Sequence, residues 1–291
     1  MTTSPHIPST AQPAGTRVAR WGEGPIFHNG LLYYTDIEGR AILAHEPLAG
    51  SEHQWSVEGR PGFVVPRLSG GLLWGGDGGL HFLDPETGVS TPICHPEPDL
   101  PNNRFNDGKC SPDGRLFAGT IALDKTPGNA ALYRLDPDLT LTRVLEGLTN
   151  SNGIGWSPDG ATCYHIDTPT REVSAFDYNP ADGSLSQRRT AFSTAAIDAS
   201  PDGLAIDREG AIWIAFCHGA CVVRFSPNGR ELARLDLPCL ETTAVAFGGP
   251  DLQDLFITTG IHATVAENLA GRLFIAPGQP VPGLPANPFR G

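Results

Sequence analysis

The chain has 291 residues, 40% of them hydrophobic, with 20 basic against 32 acidic residues and a formal net charge of −12. That is enough apolar material for a substantial core, and repeat or all-β architectures of this length often form one unit. An acidic chain without basic clusters argues against nucleic acid or an anionic membrane as a partner, and no apolar run approaches the ~18 residues of a membrane helix.

Residues 1–15 are polar, contain Pro5, Pro8 and Pro13, and lack an apolar block. They read as a frayed tail and not as a signal peptide, which leaves 16–291 as the folded domain. The six cysteines, at 94, 110, 163, 217, 221 and 239, show no C-x-x-C spacing, and most sit in strand-like apolar surroundings. Buried free thiols in a reducing cytoplasm are the expectation.

From Asn29 onward one pattern recurs: a tight turn, a short β-rich run, a gap and a second short strand. The turns open Asn29-Gly-Leu-Leu-Tyr-Tyr34, Gly70-Gly-Leu-Leu-Trp74, Asp113-Gly-Arg-Leu-Phe117, Asp159-Gly-Ala-Thr-Cys-Tyr164 and Glu209-Gly-Ala-Ile-Trp213. Their glycines, 30, 71, 114, 160 and 210, lie 41, 43, 46 and 50 residues apart. A sixth copy, Asp251–Ile257, keeps the distance and lacks the glycine. Each copy has a follower, from Ala41–His45 to Arg272–Ile275, and no stretch holds a helical period. Short strands repeated at this interval predict an all-β, six-bladed β-propeller, because one four-stranded sheet leaves apolar faces that only a neighbouring sheet covers. A sandwich or a solenoid fits the interval less well.

The strands directly upstream of each turn should line the channel. Measured back from the turn glycine, Glu23 and Asp107 are seven residues away, and Asn106, Asn152 and Asp202 are eight. Four blades therefore carry a carboxylate or amide at nearly one register, with Gly24, Gly108, Gly153 or Gly203 just after it. An Asn-Gly or Asp-Gly pair by itself is an ordinary turn. Repeated at matched offsets, these side chains converge on the channel mouth, where carboxylates and amide oxygens suit a hard divalent cation.

Glu23-Gly-Pro, Asn103-Arg-Phe-Asn-Asp-Gly-Lys109, Phe117-Ala-Gly-Thr120, Ser151-Asn-Gly153, Pro201-Asp-Gly203 and Phe247-Gly-Gly249 together resemble the senescence marker protein (regucalcin) and gluconolactonase family, from about Arg20 to Ile275. The resemblance implies a six-bladed propeller with one divalent metal in its central channel and hydrolysis of sugar-acid lactones. By position it makes Glu23, Asn152 and Asp202 the metal ligands, and Arg104 and Asn106 the substrate contacts. Asp124 stands where some members carry a longer glutamate that touches substrate hydroxyls, and Asp107 neighbours the substrate site.

The mechanism expected on that basis has the cation polarise the lactone carbonyl while Asp202 serves as general base. Arg104 would bind ring hydroxyls or the developing carboxylate through its planar fork of donors. Calcium, zinc, manganese, magnesium and ferrous iron all accept such ligands, and glucono-, xylono- and arabinolactones all suit the chemistry. The rivals are a calcium-dependent propeller hydrolase of other esters or phosphotriesters, and a non-catalytic metal-binding propeller. His165, His218 and His262 lie on or just beyond strands and read as structural. Trp74 and Trp213 read as packing between blades, and the loop 121–130 as a possible lid.

Overall fold

The computed structural model describes residues 10–291. They form six four-stranded antiparallel sheets, each built from consecutive strands except the last. We number these blades 1 to 6; they span residues 22–56, 61–94, 103–148, 151–193, 200–236 and 242–276. The innermost strands are Gly22–His28, Pro61–Pro66, Asn103–Cys110, Ser151–Trp156, Ser200–Ile206 and Thr242–Gly248. Each touches the inner strands of both neighbouring blades, so the six close into a ring around a channel. The six-bladed propeller is thereby confirmed.

Blade 6 joins the two ends of the chain. Its outer strand is Gln12–Val18, which pairs antiparallel with Arg272–Ala276. The domain boundary expected at residue 16 falls inside this strand: the chain is already in the sheet at Gln12, and the rest of the expected tail, residues 1–9, lies outside the described residues. Prolines and polar residues misled the reading because an outer strand exposes one face and one edge to water, and Pro is tolerated there. The run that follows the last blade also packs back: Phe289 is fully buried and its N–H donates to the Pro66 carbonyl at 2.8 Å.

The core lies between blades and not within any one of them. Phe63, Val65 and Trp74 of blade 2 meet Phe105 and Leu116 of blade 3, while Phe117 and Leu132 of blade 3 meet Ile154 and Phe176 of blade 4. Ile166 and Val173 pack on Ile212 and Ile214, and Trp213 and Val222 on Val245 and Ile257. Leu32 and Leu43 close the circle against Phe256 and Leu273. A fully buried aromatic or branched side chain contributes about 1.5–3 kcal/mol. No blade collects that contribution alone, which is why the sheets form as a ring. Trp74 and Trp213 are buried here as expected, their indole N–H groups bonded to Ser90 Oγ and Asp207 Oδ2 at 2.7 and 2.9 Å.

The turn glycines 30, 71, 114, 160 and 210 all take positive φ, between 71° and 84°. In the sixth copy Leu252 takes this role with φ 55°, an uncommon conformation for a residue with a side chain.

Candidate active site at the channel mouth

Every inner strand carries a register shift near its start. The shifts fall between Glu23 and Ile26, Pro61 and Phe63, Phe105 and Asp107, Ser151 and Ile154, Pro201 and Leu204, and Thr242 and Ala244. A bulge inserts an unpaired residue, bends the strand and re-aims a side chain. Here it falls at the residues singled out from the sequence, and it turns them toward the axis. Glycine makes the crowding possible. A Cβ on Gly153 would stand 2.7 Å from the Asp202 carbonyl oxygen, and one on Gly203 would stand 2.8 Å from the Ala244 Cα.

Glu23, Arg104, Asn106, Asn152 and Asp202 line one cavity of about 330 Å³ at the mouth, together with Trp21, Lys125, Cys217 and His218. Glu23, Asn152 and Asp202 come from blades 1, 4 and 5, and all three are buried. Burial, and then the neighbouring charge of Asp107, pushes the Glu23 carboxyl up to about 8, against the Gly24 N–H that bonds it at 2.8 Å. Burial also drives Asp202 well above the usual carboxylate range, helped by Glu23, Asp107 and Glu241 and offset in part by Asn152. Asp107 lies deeper in the channel beside Lys109 and is raised by burial. Lys109 is held in turn by its Nζ donating to the Leu204 carbonyl at 2.6 Å.

A divalent cation fits this donor set. Burial and the Glu23 charge both oppose ionisation of Asp202, and a cation between the two carboxylates would favour the charged form of each. The Asn152 amide nitrogen donates to Thr168 Oγ1 at 2.8 Å, and Thr168 donates to the Pro201 carbonyl at 3.0 Å. That chain leaves the Asn152 amide oxygen as the free coordinating end, with only a long 3.4 Å contact from Asn106.

Arg104 and Asn106 form the next layer. Arg104 Nη1 donates to Asn106 Oδ1 at 2.9 Å and to the Phe105 carbonyl at 2.8 Å. Asn106 Nδ2 donates to Asn150 Oδ1 and to the Ser151 carbonyl, at 3.1 and 3.0 Å. Burial and the nearby Arg60 charge lower the Arg104 guanidinium to about 10, so it stays charged at neutral pH. Its buried Nε has no hydrogen-bond partner among the described residues. An arginine in this state is poised for an oxygen-bearing ligand.

Asp124 is placed differently. Its carboxylate is solvent-exposed, accepting from the Thr126 N–H at 3.0 Å and from Asn102 Nδ2 at 3.2 Å. Its neighbour Lys125, not Asp124, lines the mouth. Lys125 was missed because a lone loop lysine carries no pattern. His165 is structural: buried, pushed down to about 3 by desolvation, and bonded through Nε2 to Ser151 Oγ at 2.8 Å. Glu97 was also missed. It is buried and accepts from Asn103, Thr120 and Tyr133, anchoring the strand that carries Arg104.

Fold and site together define a class: a six-bladed propeller whose channel mouth gathers buried carboxylates, an amide oxygen and an arginine. Residues 21–261 match the SMP-30/Gluconolactonase/LRE-like region, and the chain belongs to that family. It is 36% identical over 280 residues to regucalcin of Danio rerio, covering 93% of this chain and 95% of that protein. It is 31% identical over 263 residues to YvrE of Bacillus subtilis (strain 168), by name a candidate sugar lactone lactonase, covering 88% and 90%. The crystal structure of a calcium-binding protein, regucalcin from Agrobacterium tumefaciens str. C58, superposes with a TM-score of 0.92 at 26% identity over 98% and 99% of the two chains.

Proposed function

We propose that this protein is a metal-dependent lactonase that opens a sugar lactone to its aldonic acid. The observation that carries the reading is the convergence of Glu23, Asn152 and Asp202 on one polar cavity beside Arg104, whose buried Nε lacks a partner. The names of the relatives support it: one is a candidate sugar lactone lactonase, and another, of known structure, is a calcium-binding protein.

Glu23, Asn152 and Asp202 would hold the cation. When bound, a divalent ion at such a site supplies Lewis acidity toward a carbonyl oxygen. The chain's own residues do the rest. Arg104, with Asn106 fixing its fork, orients ring hydroxyls and stabilises negative charge as the acyl carbon becomes tetrahedral. Asp202 takes a proton from the attacking water; the ring C–O bond then breaks and the departing oxygen receives that proton, so acid and alcohol form on one molecule. The polar lining of the mouth favours a hydroxylated substrate over an aryl ester or phosphotriester.

The test is hydrolysis of glucono-, xylono- and arabinolactone by chelator-treated protein, with calcium, zinc, manganese, magnesium or ferrous iron returned singly. The expected result is negligible activity without metal and recovery with at least one ion. Full activity after chelation, or none on any lactone with any ion, overturns the reading.

A further inference from the structure

Beside the oxygen-lined site stands a second cluster of different chemistry. Cys217 ends the second strand of blade 5, His218 follows it, and Glu241 immediately precedes the inner strand of blade 6. The Cys217 thiol donates to Glu241 Oε2 at 2.9 Å, and His218 Nδ1 lies 3.0 Å from Glu241 Oε1. One donor atom from each of the three lies within 4.8 Å of the others.

Two other blades use the same register differently. In blades 1 and 4 the residue paired with the first position of the inner strand is Asp36 or Asp167. Each of these braces the connection into its own blade by accepting backbone N–H groups, of Arg20 and Trp21 or of Thr149 and Asn150. At the same register blade 5 has Cys217, paired with Ser200. Its thiol turns to the next blade instead, toward Glu241.

Two further features shape the cluster. His218 holds φ 65°, a left-handed conformation that costs an L-residue about 1–2 kcal/mol and that places Nδ1 against the carboxylate. The Glu241 side chain is only 2% exposed, and among the described residues no Lys or Arg pairs with it; the imidazoles of His218 and His262 are the basic side chains beside it. His262 is not a ligand. Its Nδ1 accepts from the N–H groups of Thr264 and Val265 at 3.1 Å each, which fixes the proton on Nε2, facing Glu241 at 3.7 Å. It stands just beyond hydrogen-bond reach of the carboxylate, as an outer neighbour of the cluster.

We propose that Cys217 Sγ, His218 Nδ1 and a Glu241 carboxylate oxygen form a binding site for a thiophilic divalent cation of the zinc type, separate from the oxygen-lined site. Thiolate, imidazole and carboxylate are zinc's ligands, at about 2.0–2.3 Å, whereas the amide and carboxylates next door suit harder ions. Binding replaces the thiol proton and the hydrogen bonds now closing the cluster, and needs the donors to spread by about 0.5 Å around a tetrahedral ion. Three protein ligands leave a fourth position open. Because Cys217 and His218 line the mouth cavity, the ion would form part of its wall.

Cadmium titration of the full chain, followed by the sulfur-to-metal charge-transfer absorption, reads this site without reading the oxygen-lined one. The expected result is one equivalent with a thiolate band, competed away by zinc. The band should disappear in Cys217→Ser, persist in Glu23→Gln and Cys94→Ser, and need at least tenfold more cadmium in His218→Ala, whose exposed side chain can be removed without unfolding. No band in the wild type, a band surviving in Cys217→Ser, or unchanged affinity in His218→Ala would overturn the proposal. Loss of lactonase activity alone bears on the oxygen-lined site and leaves this one standing.

Discussion

The same six inner strands build both ends of the channel, and the two ends have little else in common. At the mouth the strand starts bulge and present Glu23, Asn106, Asn152 and Asp202 to a polar cavity. At the opposite end they run on regularly and present Ile26, Phe27, Trp156, Ile206 and Phe247 to a cavity of about 250 Å³, which Leu284, Pro285 and Ala286 of the returning C-terminal segment help to line. That second cavity is as well formed as the first, and Lys109 is the one charged side chain among its described lining residues. One strand therefore does two jobs along its length. Its bulged half carries charge that the fold must pay for, and its regular half carries the apolar packing that offsets the expense.

Substitutions at the two ends should separate along these lines. The largest effect is expected at Asp202: Asp202→Asn should lower kcat on a lactone by about 10²–10⁴, the range for a lost general base, with the melting temperature of the metal-free protein held or raised because a buried Asn needs no proton to stay neutral. At the apolar end Trp156→Ala should destabilise by about 3–5 kcal/mol, read by denaturant unfolding, while kcat/KM of the folded protein stays within twofold. Arg104→Lys keeps the charge and loses the fork, and should raise KM about tenfold with a smaller change in kcat. Asp124→Ala should change kcat/KM by less than threefold, since its carboxylate faces solvent. A larger loss there would mean that its loop folds over the mouth when substrate is present.

The contrast also sets a pH dependence. Glu23 has its folded pKa raised to about 8 from 4.5, so the folded, metal-free protein binds a proton that the unfolded chain releases. The stability contributed by that proton is full below about pH 4.5 and is lost as the pH rises through about 8. Asp202 and Asp107 are shifted in the same direction. Thermal melts of chelated protein should accordingly fall between pH 5 and 8, and a saturating divalent cation should flatten or reverse the trend. A melting temperature independent of both pH and metal would contradict the electrostatics of the mouth.

Much of this was legible in the sequence because propeller blades repeat. The turn glycines set the register, and offsets from Gly30, Gly114, Gly160 and Gly210 found the residues that the bulges turn inward. Fourth strands were harder. Segments such as Glu231–Asp236 and Gln12–Val18 are half exposed, and their alternation is diluted by polar and proline residues. The Asp124 expectation rested on the family resemblance, carried onto a loop whose register is set by local turns; the Asn102 and Thr126 bonds that turn it outward have no signature. The cluster of Cys217, His218 and Glu241 was invisible for another reason: its members belong to two blades and meet only once the strands are aligned in space.

The most direct test of the oxygen-lined site is a crystal of this protein grown or soaked with calcium. The account predicts density for one ion at the mouth, about 2.3–2.6 Å from carboxylate oxygens of Glu23 and Asp202 and from the Asn152 amide oxygen. An ion bound elsewhere in the channel, or a mouth that stays empty at saturating calcium, would contradict it.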